Sequence, residues 1–164
     1  MVSLPGIYTI GVYGRTEHDF FKNLVENKID TFCDIRRRRA VRGAEYAYAN
    51  SERLQQKLAK LSIRYLYEIK LAPTKELIDL QANFDRTHKT QRRKREELSD
   101  VFRKAYSDKI LAHADIKQFI THLEKGGAKK IAFFCVEKSP VACHRSLVTQ
   151  RIQELFPEIS ISHL

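Results

Sequence analysis

The order of apolar segments predicts an α/β fold: three layers, with a mostly parallel sheet of about five strands and a helical insertion between strands three and four. Three observations carry this expectation. Short strand-like runs alternate with stretches of helical period. The connection between the third and fourth runs is about sixty residues, several times the dozen or so that one crossover needs. A chain of 164 residues, 43% of them hydrophobic, is long enough for one core and short for two full domains. One domain over 1–164 follows, with the insertion at 74–126.

The first strand is Ile7-Tyr8-Thr9-Ile10, ending where Gly11 and Gly14 allow a tight turn or close backbone approach. Thr16 with Asp19 reads as a helix cap, and Phe20, Phe21, Leu24 and Val25 repeat at helical spacing until Asn27-Lys28. A second strand, Ile29 to Ile35, runs into the basic run Arg36 to Arg39. After a loop rich in Gly, Ala and Tyr, Ser51 opens a helix carrying Leu54, Leu58 and Leu61, and Ile63 to Tyr67 is the third strand. The insertion reads as helical throughout. Thr74 caps a helix with Leu77, Ile78, Leu80 and Phe84; Leu98, Val101, Phe102 and Tyr106 form a second face; Ile116, Phe119, Ile120 and Leu123 form a third, stopped by Gly126-Gly127. Its middle, Arg86 to Arg95, is basic and lacks apolar residues. Lys130 to Val136 is the fourth strand. Ser139 and Pro140 suit the start of the last helix, and Ile159-Ser160-Ile161 suits a short edge strand.

Lys and Arg number 30 against 20 Asp and Glu, a formal charge of +10, which points to a polyanionic or phosphorylated partner and is neutral about fold. The first residues lack the basic and apolar regions of a signal peptide, and the longest apolar run, Ile131 to Val136, is six residues, too short for a membrane span. Three cysteines are an odd count without a disulfide framework, so a cytoplasmic protein with reduced thiols and no membrane partner is expected. Neither Gly-x-Gly-x-x-Gly nor Gly-x4-Gly-Lys-Ser/Thr occurs, and no cofactor is expected.

Parallel sheets bind ligands beyond the carboxyl ends of their strands. There the first strand presents Arg15, the second Asp34 and Arg36, and the fourth the run Cys135 to Arg145. Asp34, Glu137, Cys143 and His144 are the candidate catalytic groups, and Arg15, Arg36 and Arg145 the candidate anion ligands. A helix starting at Ser139-Pro140 would offer free N–H groups to the same anion, and Cys143, in its first turn near Arg145, would have a lowered pKa. Each candidate has a plainer counterpart. Asp34 can pair with Arg36 or Arg145 in a structural network, His144 can be a core or capping histidine, and Cys33 and Cys135 read as ordinary buried thiols. No arginine follows Cys135 or Cys143 at the five-residue spacing of phosphatases and rhodaneses. Cys135, Cys143 and His144 are zinc-type ligands, but adjacent Cys and His side chains diverge at a helix start, so no metal is expected. Arg92, Arg93, Lys94 and Arg95 could contact phosphates from above the strand ends or simply face water, and Tyr46 and Tyr48 could stack on bases.

The ordered set Ile7-Tyr8-Thr9-Ile10-Gly11, Asp34-Ile35-Arg36, Ile63-Arg64-Tyr65, Cys135-Val136-Glu137 and Cys143-His144-Arg145 resembles the Domain of Unknown Function 488 family. Its hallmarks are Thr-Ile-Gly, Asp-Val-Arg, Cys-x-Glu and Cys-His-Arg. The resemblance implies a compact α/β fold and a shared site around Asp34, Arg36, Glu137, Cys143, His144 and Arg145, and implies no activity. The family usually follows Asp-Val-Arg with a proline and a Ser-Arg pair; here Arg37 to Arg42 intervene, and Arg42 is the nearest match to that anion-binding arginine. Its Leu-Gly-Gly is Leu71-Ala72-Pro73 in this chain.

Three functions compete on these residues. A nucleic-acid- or nucleotide-associated protein would use both the rim and the basic insertion. An enzyme acting on a phosphorylated or carboxylated metabolite would use Asp34 or His144 as base and Arg36 and Arg145 as the anion clamp. A non-catalytic partner-binding domain would bury Asp34, Arg36, His144 and Arg145 as a satisfied network. The first is the expected reading.

Overall fold

The computed structural model describes residues 3–164. Five strands, β1 (Gly6–Ile10), β2 (Thr31–Asp34), β3 (Arg64–Tyr67), β4 (Lys130–Phe134) and β5 (Ile161–His163), form one sheet in the order β3-β2-β4-β1-β5, and every pairing is parallel. Among the described residues six α-helices accompany it: α1 (Glu17–Glu26), α2 (Ser51–Lys60), α3 (Lys75–Thr87), α4 (Asp100–Tyr106), α5 (Ile116–Lys125) and α6 (His144–Leu155). The chain therefore adopts the α/β architecture expected from its segment order, with α3, α4 and α5 lying between β3 and β4 in sequence.

The two-residue period of the strands divides the core. Ile7, Cys33, Ile131 and Phe133 join a buried cluster with Leu77, Phe102, Tyr106, Ile120, Leu123 and Val148 of α3 to α6. Ile10, Phe32, Ala132 and Phe134 join a second with Phe20, Phe21 and Leu24 of α1 and Leu54 and Leu58 of α2. Such a sheet, covered by apolar side chains from both clusters, is why β4 reads as an uninterrupted apolar run. The caps act as their residue types dictate. Thr16 Oγ1 accepts the Asp19 N–H at 3.1 Å and Thr74 Oγ1 that of Leu77 at 3.4 Å, while Ser99 and Asp115 cap α4 and α5 likewise.

Three segments depart from expectation. Between α3 and α4 the backbone is not helical except for one 3-10 turn at Arg92–Lys94. With no apolar side chain between Arg86 and Arg95 there is no face to pack, and the arginines instead reach across the strand ends. Ser139-Pro140 opens a 3-10 turn, Pro140–Ala142, and α6 starts only at His144 with Cys143 as its N-cap. The edge strand begins two residues later than expected, because Ile159 is buried in the core at the turn after α6. No helix among the described residues is long and apolar enough to cross a membrane.

The ends of β1 and β4 are fastened together. Val12 and Tyr13 both donate to the Val136 carbonyl, at 3.1 and 3.0 Å, so the backbone of residues 136–138 passes directly over Gly11. A Cβ on Gly11 would lie 2.0 Å from the Glu137 carbonyl oxygen. Gly11→Ala is therefore expected to lower stability by about 2–3 kcal/mol, seen as a reduced urea midpoint, through overpacking against backbone that cannot move aside; an unchanged midpoint would contradict this close crossing.

Candidate functional site

At the end of β2, Asp34 and Arg36 form a closed pair. Asp34 Oδ1 accepts from the Arg36 backbone N–H at 3.1 Å and from its Nε at 2.9 Å; Oδ2 accepts from Nη2 and from the Tyr65 hydroxyl, both at 2.8 Å. Arg36 Nη1 donates to the Ala49 carbonyl at 2.9 Å, and the guanidinium lies 4.5 Å from the centre of the Phe134 ring. Both side chains are buried. Every acceptor of the carboxylate is taken, so Asp34 is not placed as a free base nor Arg36 as a free anion ligand; the pair ties β2 to β3 and to the loop before α2. Tyr65 pairs with Asp34 because β2 and β3 are parallel and both side chains lie on the same side of the sheet. Burial, together with the Asp34 carboxylate, pushes its phenol up to about 12.

After β4 the chain places Glu137 below the basic segment. Its buried carboxylate accepts from Arg92 Nε at 2.8 Å and Arg95 Nη2 at 3.2 Å, both on Oε1. Arg95 also donates to Asp85 Oδ2 at 2.8 Å and to the Ala142 carbonyl. Asp85 in turn is held by Gln81, whose Oε1 accepts both the N–H and hydroxyl of Ser99. Residues 88–99 are thereby docked on α3 at one side and on the strand ends at the other. Arg95 does not point outward to phosphates, its guanidinium being held inside by Asp85 and Glu137, whereas Arg92 is exposed and meets Glu137 through its Nε alone. Arg145 is likewise buried, donating to the Glu137 and Lys138 carbonyls at 2.7 and 3.2 Å. Its Nε is a buried polar atom with no hydrogen-bond partner among the described residues.

Beside Glu137 the structure assembles Cys135, Cys143 and His144. Their ligand atoms, two sulfurs and one ring nitrogen, all lie within 4.8 Å of one another. Cys143 Sγ is 3.6 Å from His144 Nδ1, Cys135 donates to Glu137 Oε2 at 3.3 Å, and His144 Nε2 lies 2.8 Å from the Ile35 carbonyl oxygen. The divergence expected of adjacent Cys and His side chains does not occur. Cys143 is the N-cap of α6, in extended conformation with φ −139° and ψ 148°, rather than a first-turn residue, and its Sγ meets His144 Nδ1. Cys135 is accordingly not an ordinary core thiol. Burial alone raises the Cys143 thiol, but the Cys135 hydrogen bond and the positive charges of His144 and Arg145 outweigh it and hold Cys143 well below the usual thiol value. The same contact, reinforced by burial, drives Cys135 up. Burial lowers His144, and the Cys143 partner more than reverses this, raising it.

The remaining candidates face outward. Arg42, Arg93 and Lys94 are exposed, as is Lys138, whose side chain runs alongside Gly14. Arg93 lies 5.0 and 5.4 Å from the ring centres of Tyr13 and Tyr46, which meet edge to face at 5.4 Å, and it donates to the Arg42 carbonyl. Arg15 donates to the Leu164 carbonyl oxygen at the opposite side of the rim. Tyr48, unlike Tyr46, is buried, with its hydroxyl on the Arg15 carbonyl at 3.1 Å, and is not placed to stack on a base. Tyr13, Lys138, Tyr65 and Asp85 were not legible as site residues. Tyr13 and Lys138 could have been suspected from their positions after β1 and β4.

The profile of the family described as Domain of unknown function DUF488 matches residues 17–152. The chain belongs to the DUF488 family. No curated protein and no solved structure matches the chain. Membership in DUF488 carries no reaction, so the chemistry rests on the geometry of this DUF488 chain itself.

If the Asp34–Arg36 pair is closed as described, Arg36→Met leaves a buried carboxylate uncompensated and costs about 3–5 kcal/mol, whereas Asp34→Asn combined with Arg36→Met recovers most of it. Denaturant melts of the three proteins decide this. A single Arg36→Met variant as stable as the parent would contradict the pairing.

Proposed function

We propose that the exposed rim at the carboxyl ends of the strands binds single-stranded nucleic acid. The observation that carries this reading is the Arg93–Tyr13–Tyr46 group, a guanidinium over two aromatic rings, flanked by Arg42, Lys94 and Lys138. Among the described residues, none of these four basic side chains has a carboxylate within ion-pair distance. Glu45, the acidic neighbour in this loop, lies back against Gly43. Unpaired cations beside half-buried aromatic rings suit a strand whose bases are unstacked, since phosphates can take the charges and bases can compete for the rings. A duplex offers no free base face.

The reading uses only outward-facing groups. An enzyme acting on a phosphorylated metabolite through Asp34 and Arg36 finds less support, because those groups are buried and satisfied by one another. The excess charge supports the polymer for the same reason: Arg92 and Arg95 are neutralised by Glu137 and Asp85, and Arg42, Arg93, Lys94 and Lys138 at the rim meet no carboxylate among the described residues.

Fluorescence anisotropy with labelled single-stranded DNA, single-stranded RNA and duplex DNA tests the proposal. Binding of single strands is expected, with a log-log salt slope of about −2 to −3 for three to four phosphates. Arg42, Arg93 and Lys94 replaced together by Ala should weaken it at least about tenfold at low salt, and Tyr46→Ala should cost about 1–3 kcal/mol. No binding at low salt, an affinity insensitive to salt, or equal affinity for duplex would overturn it.

A further inference from the structure

We propose that Cys135, Cys143 and His144 form a zinc site, with the two sulfurs and His144 Nδ1 as protein ligands. The donor set and its dimensions fit the ion. Tetrahedral zinc with Zn–S of about 2.3 Å and Zn–N of about 2.0–2.1 Å places sulfur and nitrogen about 3.5 Å apart and two sulfurs about 3.8 Å apart. Cys143 Sγ and His144 Nδ1 are 3.6 Å apart, and all three donor atoms fall within 4.8 Å of one another.

The imidazole is oriented for a metal from its far side. A carbonyl oxygen only accepts, so His144 Nε2 must carry the proton it gives to Ile35, and in the neutral ring the Nδ1 lone pair is left facing the sulfur. A metal-bound histidine is fixed in this way, by donating its other N–H to a carbonyl or carboxylate. Ile35 supplies that carbonyl from the end of β2, on a different element from any of the three ligands.

Zinc binding would release the proton that Cys135 gives to Glu137, and Zn²⁺ would balance the two thiolates so formed, which are otherwise costly inside a protein. Glu137 Oε2, 3.3 Å from Cys135 Sγ, adjoins the group without belonging to it, and its own charge is balanced by Arg92 and Arg95. Cys33, the third cysteine, lies outside the group and serves as an internal control.

The full chain, purified without chelator, is expected to hold about one zinc by elemental analysis. Stripped and refilled with Co²⁺ it should show a thiolate-to-cobalt charge-transfer band and the visible bands of tetrahedral cobalt. Cys33→Ser should keep these signals, whereas Cys143→Ser and His144→Gln should lose them. Because a variant of a buried site can fail to fold, the wild-type measurements stand by themselves. A folded wild-type chain that takes up neither zinc nor cobalt in competition with a chromophoric chelator would overturn the proposal. So would cobalt bound without a thiolate band, or a native Cys135–Cys143 disulfide in a metal-free chain.

Discussion

Glu137 is the residue on which the upper half of the molecule depends. Its backbone carbonyl passes over Gly11 and accepts from Arg145, and its carboxylate accepts from Arg92, Arg95 and the Cys135 thiol. One buried anion thus connects the end of β4, the end of β1, the start of α6 and the segment inserted between α3 and α4. A carboxylate this buried is tolerated only because two guanidinium groups meet it. Arg95 is in turn kept in place by Asp85 and the Ala142 carbonyl, so removing Glu137 or Arg95 leaves another buried charge short of a partner.

This constraint sorts the positive charge. Basic residues look interchangeable in a sequence, yet Arg36, Arg95 and Arg145 are internal fastenings, Arg92 meets Glu137 from an exposed position, and Arg42, Arg93, Lys94 and Lys138 are offered to solvent without a carboxylate partner among the described residues. Arg92, Arg93, Lys94 and Arg95 are consecutive, yet Arg95 is held inside, Arg92 is exposed with its Nε on Glu137, and Arg93 and Lys94 meet no carboxylate among the described residues. Proximity along the chain therefore says little about role here; the direction of each side chain in an irregular, 3-10-containing loop decides it.

The sheet and most helices were legible because their signals are local. Alternation in β1, the apolar run of β4 and the Thr16 and Thr74 caps each depend on residues within one element. The convergence of residues after β1, β2 and β4 was also legible, since it follows from a parallel sheet. What could not be read was partnership across elements. Tyr65 closes Asp34, and Asp85 holds Arg95, through register and docking that no window of sequence contains. The Cys143–His144 contact was missed for a smaller reason. The helix starts at His144 and not at Pro140, so Cys143 is an extended N-cap rather than the first-turn residue that the Ser139-Pro140 signal suggested.

Backbone hydrogen exchange in a Glu137→Gln variant tests the central role of this carboxylate most directly. Losing charge-assisted bonds of about 1.5–3 kcal/mol each predicts amide exchange in residues 88–99 faster by about tenfold or more, with β1, β2 and β4 retaining their relative protection. Exchange in residues 88–99 indistinguishable from the parent would mean that Glu137 does not hold this segment over the strand ends.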